Sequence, residues 1–87
     1  MGQYEKLLLA LMSGARDRNF QFSDLRLILD RLGFDCRVRG DHFIYTRDDI
    51  EEIINIQLAG SKAKPYQCKQ VRQIILKYNL GGVLNEV

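Results

Sequence analysis

The sequence predicts a small α+β domain in which helices cover one face of a three-stranded antiparallel sheet. Two observations carry this prediction. Leucine, isoleucine and valine recur at helical spacing in segments near both ends of the chain, and between those segments lie three short runs with the alternation or the β-branched composition of strands. At 87 residues the chain has room for one small core. The expected order is helix, helix, strand, strand, strand, helix.

The first segment reads as an accessory helix. Its apolar side chains follow the i, i+3, i+4, i+7 pattern of an amphipathic helix, and Gly14 is the expected stop. These side chains are Tyr4, Leu7, Leu8 and Leu11. Residues 15–21 carry charges without a period and read as a connector. We therefore divide the chain into an accessory helix with its connector, residues 1–22, and a domain of residues 23–87.

Two further helices flank the predicted strands. Ser23 is the expected N-cap of the second helix, because its hydroxyl can accept a hydrogen bond from a free N–H of the first turn, and Gly33 is its expected end. The last helix is expected from about Tyr66 to Tyr78, with Pro65 in its first turn and Gly81-Gly82 after its end. The buried stripe of the second helix is Leu25, Ile28, Leu29 and Leu32.

A tight hairpin is the most informative stretch of the sequence. Apolar and polar residues alternate on both sides of Gly40-Asp41, the pattern of two strands joined by a two-residue turn. The resulting cross-strand pairs are Arg39 with His42, Val38 with Phe43, Arg37 with Ile44, and Cys36 with Tyr45. Arg37, Arg39 and His42, the only histidine, would share the outward face, where two guanidinium groups beside an imidazole could hold an anion next to a proton carrier.

The inward and outward series of the strands follow from the same alternation. Phe34, Cys36 and Val38 are expected to face the core from the first strand, and Ile54 and Ile56 from a third strand, Glu51–Gln57. Ile44 and Ile53 then fall on the outer face. Bare apolar surface usually means a partner, so the accessory helix or another chain is expected to cover them.

Composition narrows the class of protein. The two cysteines, Cys36 and Cys68, are far apart and form no CxxC or Cys/His cluster, so neither a disulfide scaffold nor a zinc site is indicated. The N-terminus lacks signal-peptide features and no apolar run is long enough to span a bilayer, which predicts a soluble cytoplasmic protein without a membrane association.

The net charge is +2, and residues 58–87 carry five basic groups against one acidic group. Such a basic segment is compatible with a polyanionic partner.

Several short motifs resemble the HicA family of toxin ribonucleases. The run from Gly40 to Tyr45 is similar to the family's Gly, small hydroxyl, His motif at the start of the second strand, and Leu32-Gly33-Phe34 is similar to the end of its first helix. Lys64-Pro65 and the apolar pattern of residues 71, 74 and 75 also agree, so the resemblance covers residues 23–80. It implies a double-stranded-RNA-binding-domain-like α-β-β-β-α fold, a two-layer sandwich with an extra N-terminal helix here. The sequence departs from the family pattern at Asp41, where a small hydroxyl is usual, and at Phe43, where many members have a second histidine.

The resemblance implies a metal-independent endoribonuclease that cleaves messenger RNA through His42, without cofactors, and is neutralised by a HicB-like antitoxin. RNA supplies its own nucleophile, so a histidine acting as general base, or as general acid toward the leaving 5′-oxygen, would give a 2′,3′-cyclic phosphate. The second proton-transfer group is left open between a lysine, a tyrosine, Asp41 and water. The expected phosphate contacts are Arg37, Arg39, Lys62, Lys64 and Lys69.

Two other readings belong to different functional classes. A non-catalytic RNA-binding or antitoxin-binding module of the same fold would follow if Asp41 spoils the site. A pure interaction module would instead use Ile44 and Ile53 as its contact surface. Salt-dependent binding of RNA separates these two.

Overall fold

The computed structural model describes residues 2–58 and 60–80. It has the predicted order of helices and strands, and the three strands form one antiparallel sheet in the order β1-β2-β3. The elements are α1 (Gln3–Ser13), a short 3₁₀ helix (Asp17–Asn19), α2 (Phe22–Arg31), β1 (Asp35–Arg39), β2 (His42–Arg47), β3 (Ile50–Gln57) and α3 (Pro65–Tyr78). The α+β class is therefore confirmed.

The β1–β2 hairpin has the predicted register. All four expected pairs are present, from Arg39 opposite His42 to Cys36 opposite Tyr45. Gly40 has a φ of +60°, a left-handed conformation that glycine adopts without steric cost. A two-residue turn with this residue at its first position fixes which side chains share a face.

The core lies between one face of the sheet and the three helices. Tyr45, Ile54 and Ile56 are fully buried, as expected for the inward series of β2 and β3. Phe34, just before β1, is buried as well. The helices contribute buried leucine, isoleucine and valine side chains: Leu7, Leu8, Leu11, Leu25, Ile28, Leu29, Val71, Ile74 and Ile75.

The prediction that Cys36 and Val38 face the core is wrong. All five residues of β1 are exposed, and Val38 retains 58% of its accessible surface. The strand lies at the edge of the sheet, beyond the residues of β2 that α2 covers: Arg26 of α2 packs over Phe43 and contacts Tyr45, both in β2. Alternation separates the two faces of β1 correctly, but a strand face is buried only where another layer reaches it.

The predicted start of the second helix is also wrong. The helix begins at Phe22, with Gln21 as N-cap and no side-chain cap, so Ser23 lies inside the first turn and is exposed. Its start is fixed instead by the loop before α3, because the Phe22 N–H donates to the carbonyl oxygen of Ser61 at 3.0 Å and Gln21 pairs with Lys62.

The other helix boundaries agree with the sequence. Gly14 directly follows α1, Gly33 follows the C-cap Leu32 of α2, and both glycines adopt left-handed conformations. Pro65 is the first residue of α3. The last helix ends at Tyr78, and Asn79 takes the left-handed cap position. Gly81-Gly82, where the end was expected, lie outside the described residues.

The accessory helix does not cover the outer face of the sheet. Leu7, Leu8 and Leu11 of α1 belong to the same buried cluster as the other helices, and α1 packs against α2 and α3. The outer face carries no helix in the part of the chain that the structure describes, and Ile53 keeps 61% of its accessible surface there. None of the described helices has the length and apolar character needed to cross a membrane.

Candidate functional site

The outer face of the sheet is the face opposite the helices. Residues paired across antiparallel strands share a face, so the two registers define its members. They are Asp35, Arg37 and Arg39 of β1, His42, Ile44 and Thr46 of β2, and Asn55 and Gln57 of β3. Alternation along β3 places Ile53 and Glu51 on the same face. Arg37, Arg39 and His42 lie together on this face, as the sequence predicts.

His42 is the first residue of β2, and its ring lies between side-chain oxygen atoms of two neighbouring residues. Its Nδ1 lies 3.0 Å from Oδ1 of Asn55, which is hydrogen-bonding distance. Its Nε2 lies 3.6 Å from Oδ1 of Asp41, too long for a hydrogen bond. The side chain is 45% exposed, so the imidazole is oriented by the protein on one side and accessible to solvent on the other.

The carboxylate of Asp41 is anchored by its neighbours. Oδ2 accepts a hydrogen bond from Nε2 of Gln57 at 2.9 Å, and the backbone oxygen accepts one from the N–H of Leu58 at 2.8 Å. The bond from Gln57 lowers the pKa of Asp41, and the nearby His42 and Lys64 contribute smaller effects in the same direction. Asp41 is therefore an ionised turn residue at neutral pH, tied to β3.

Lys64 extends this polar chain. Its Nζ donates to Oε1 of Gln57 at 3.4 Å, so Gln57 bridges the ammonium group and the Asp41 carboxylate. Of the three lysines expected to contact phosphate, Lys64 is the one that the structure connects to the surroundings of His42. Lys62 and Lys69 are exposed, and no hydrogen bond or ion pair among the described residues joins their side chains to Asp41, Gln57 or His42.

The two arginines of β1 are available for an anion. Arg37 and Arg39 are exposed, and neither guanidinium has an ion-pair partner within residues 2–58 and 60–80. Together with Ile44 and Ile53 they line an open concavity of about 660 Å³ on the outer face. An anion bound by these arginines would lie on the same surface as the imidazole.

The inner face holds the aromatic residues of the hairpin away from the site. The guanidinium of Arg26 lies 4.4 Å from the ring centroid of Phe43, and its Nε donates to the hydroxyl oxygen of Tyr45 at 2.9 Å. Burial raises the pKa of Tyr45 to about 12. Tyr45 is thus removed as the second proton-transfer group for chemistry on the outer face.

Sequence reasoning missed two residues that organise the site, Asn55 and Gln57. Both lie on β3, where Gln57 is opposite His42 and Asn55 is its diagonal neighbour on the same face. A register for β3 beside β2 is the signal that would have placed both amides next to the imidazole. Alternation alone does not give that register, because the pairing shifts between Tyr45 and Arg47.

The site can hold an anion beside an imidazole, a group that can accept or donate a proton, and the amide of Asn55 sets the orientation of the ring. Among the described residues no group of three histidine, cysteine, aspartate or glutamate side chains is placed to hold a metal ion. No family model, curated protein or solved structure matches this chain.

Proposed function

We propose that this protein is a HicA-like toxin endoribonuclease of the cytoplasm that cleaves messenger RNA by metal-independent acid/base catalysis through His42. The fold proposed is the double-stranded-RNA-binding type, with α2, the sheet and α3 as its core and α1 added. One observation carries the proposal: a half-exposed imidazole shares an uncovered sheet face with two arginines that have no ion-pair partner among the described residues.

The proposed reaction uses the 2′-hydroxyl of the RNA as nucleophile. His42 accepts the 2′-OH proton as the 2′-oxygen bonds to phosphorus, and the bond from phosphorus to the 5′-oxygen breaks. The products are a 2′,3′-cyclic phosphate and a 5′-hydroxyl, whose proton comes from solvent water. Arg37 and Arg39 stabilise the charge that gathers on the phosphoryl oxygens in the transition state.

A second candidate function has its own supporting observation. The carboxylate of Asp41 lies 3.6 Å from Nε2 of His42, which places a negative charge beside the approach of a phosphate. This favours a module of the same fold that binds RNA or an antitoxin without cutting. The two candidates share the outer face and differ only in whether His42 reacts.

The deciding experiment is cleavage of a defined messenger RNA, with and without EDTA, by the wild type, by His42→Ala and by a control, Asp48→Ala. Asp48 lies in the exposed turn between β2 and β3. Cleavage by the wild type and the control alone, leaving a cyclic phosphate, supports the ribonuclease. Cleavage by all three, or cleavage that stops in EDTA, contradicts the role of His42 or the metal-free mechanism. Binding without cleavage supports the second candidate.

The contacts to RNA are tested by salt dependence. We propose Arg37, Arg39, Lys62, Lys64 and Lys69 as phosphate contacts. Arg39→Gln is expected to weaken binding and to lower the slope of log affinity against log salt by about one, because each lost phosphate contact releases one fewer counterion. An unchanged slope for Arg39→Gln would remove Arg39 from the RNA surface.

The proposed partner is a small HicB-like antitoxin made with the toxin. Coexpression with the product of a neighbouring reading frame is expected to give a stable complex in which cleavage is inhibited. His42→Ala should still form that complex, because the substitution removes a reacting group and leaves the remaining outer face intact.

A further inference from the structure

We propose that Asn55 is a positioning residue that holds neutral His42 with its proton on Nδ1 and leaves Nε2 as the basic nitrogen. The catalytic consequence rests on the proposed function, whereas the tautomer itself does not. In water a histidine side chain favours the opposite form, with the proton on Nε2. The inference is therefore specific to this site.

The geometry of the pair gives the direction of the hydrogen bond. Oδ1 of Asn55 is an amide oxygen with lone pairs only, and it lies 3.0 Å from Nδ1 of His42. A hydrogen bond at this distance requires the proton to be on Nδ1. In the neutral ring Nε2 then carries the lone pair that can accept a proton from a substrate hydroxyl.

Asp41 acts in the opposite direction, and its effect is the weaker one. Its carboxylate would favour a proton on Nε2, but the separation is 3.6 Å and both side chains are about half exposed, so water screens the attraction. Its other oxygen is engaged by Gln57 at 2.9 Å. A direct hydrogen bond to Asn55 therefore outweighs a longer, screened contact to Asp41.

The backbone explains why Asn55 can hold this position. Asn55 is opposite Ile44 in the β2–β3 ladder, which makes it the diagonal neighbour of His42 on the outer face. Its Cα is fixed by the ladder rather than by a loop, so the amide reaches the ring from a rigid strand. Gln57, directly opposite His42, is committed to Asp41 and Lys64 instead.

Nitrogen NMR tests the tautomer without reference to activity. His42 is the only histidine, so protein labelled with ¹⁵N-histidine gives one pair of ring nitrogens. With the ring neutral, the wild type is expected to show Nδ1 displaced toward the protonated-type shift and Nε2 toward the unprotonated-type shift, relative to a histidine side chain in water. Asn55→Ala should reduce the ratio of the Nδ1–H to the Nε2–H form about fivefold, the factor that one neutral hydrogen bond of ordinary strength supplies. Asn55→Asp should restore the wild-type pattern because it keeps an acceptor oxygen.

A variant elsewhere on β3 is the control for this measurement. Glu51→Gln changes an exposed residue earlier on the same strand and should leave both nitrogens unchanged. A wild-type ring protonated on Nε2, or a ratio that Asn55→Ala does not change, would overturn the inference. A backbone amide spectrum confirms that each variant is folded.

Cleavage assays on the same variants separate this inference from the proposed function. We expect Asn55→Ala to lower the cleavage rate by up to about fivefold and Asn55→Asp to recover it. If the wild type has the Nδ1–H tautomer but cuts no RNA, the proposed function fails and the positioning role stands. If the wild type cuts RNA with its ring protonated on Nε2, the ribonuclease stands and the role of Asn55 is wrong.

Discussion

Replacing Arg72 by methionine should cost this small domain a large part of its stability. Arg72 of α3 donates to both carboxylate oxygens of Asp17, each at 2.9 Å, and to the backbone oxygen of Leu11 at 2.9 Å. Leu11 is in the last turn of α1 and Asp17 begins the 3₁₀ helix. One guanidinium group therefore joins α3 to the end of α1 and to the connector that follows.

The burial of the ion pair decides how much free energy of unfolding is lost when Arg72 is replaced. Surface ion pairs contribute about 0–1 kcal/mol, but the side chains of Arg72 and Asp17 are only 18% and 19% exposed. Truncating one partner of a buried pair costs about 3–5 kcal/mol, because the other charge is left without a partner. Allowing for the remaining exposure, we expect Arg72→Met to lower the free energy of unfolding by about 2–3 kcal/mol. For a domain of this size that corresponds to a fall in Tm of roughly 10–20 °C.

Urea and thermal unfolding of a double-mutant cycle measure this cost. The cycle combines Arg72→Met with Asp17→Asn, and the pair should cost less together than the sum of the single changes, since the double variant leaves no buried charge. Lys69→Met, which changes an exposed residue one turn earlier on α3, is the control. Its free energy of unfolding should stay within about 0.5 kcal/mol of the wild-type value. A loss for Arg72→Met as small as that of the control would refute the argument from burial.

Two further predictions use titration and reactivity. Hydrogen bonds from Lys77 and a tyrosine hydroxyl lower the pKa of Glu52 to about 2. The ionised carboxylate therefore stabilises the fold fully above its pKa in the unfolded chain, near 4.5, and this stabilisation is lost as pH falls toward 2. Glu52→Gln should therefore make acid unfolding less steep in that window, and Glu51→Gln, whose carboxylate has no such partner among the described residues, should not. In the native protein a thiol reagent should modify exposed Cys36 alone. Cys68 is fully buried, and burial raises its pKa to about 11, so its reaction should require denaturant; prompt reaction of two thiols would contradict this.

The sequence predicted the geometry of the hairpin because the determinants are local. A two-residue turn with Gly40 at its first position allows one register, and that register alone places Arg39 opposite His42. Pro65 and Gly33 marked helix boundaries for similar local reasons. These features depend on backbone conformations that few residue types adopt.

The features that were not predicted depend on contacts between distant segments. The exposure of Cys36 follows from how far α2 reaches across the sheet, and the start of α2 follows from its hydrogen bond to Ser61. Nothing local to α3 indicates that the side chain of Arg72 is largely buried, because its burial depends on contact with Asp17 of the connector. Alternation identifies the two faces of an element but cannot identify what covers each one.

The charge of Asp41 does not by itself exclude phosphate from the outer face. Exposed charges repel one another only weakly in water, and three cations, Arg37, Arg39 and Lys64, lie on or beside the same surface. Asp35, the carboxylate that β1 contributes to this face, is four residues along the strand from Arg39, about 13 Å away and beyond a Debye length at physiological salt. The local field around His42 therefore remains attractive to a phosphate. Because Gln57 also holds the carboxylate of Asp41 toward β3, the charge of Asp41 changes the surroundings of the histidine without closing the approach to it.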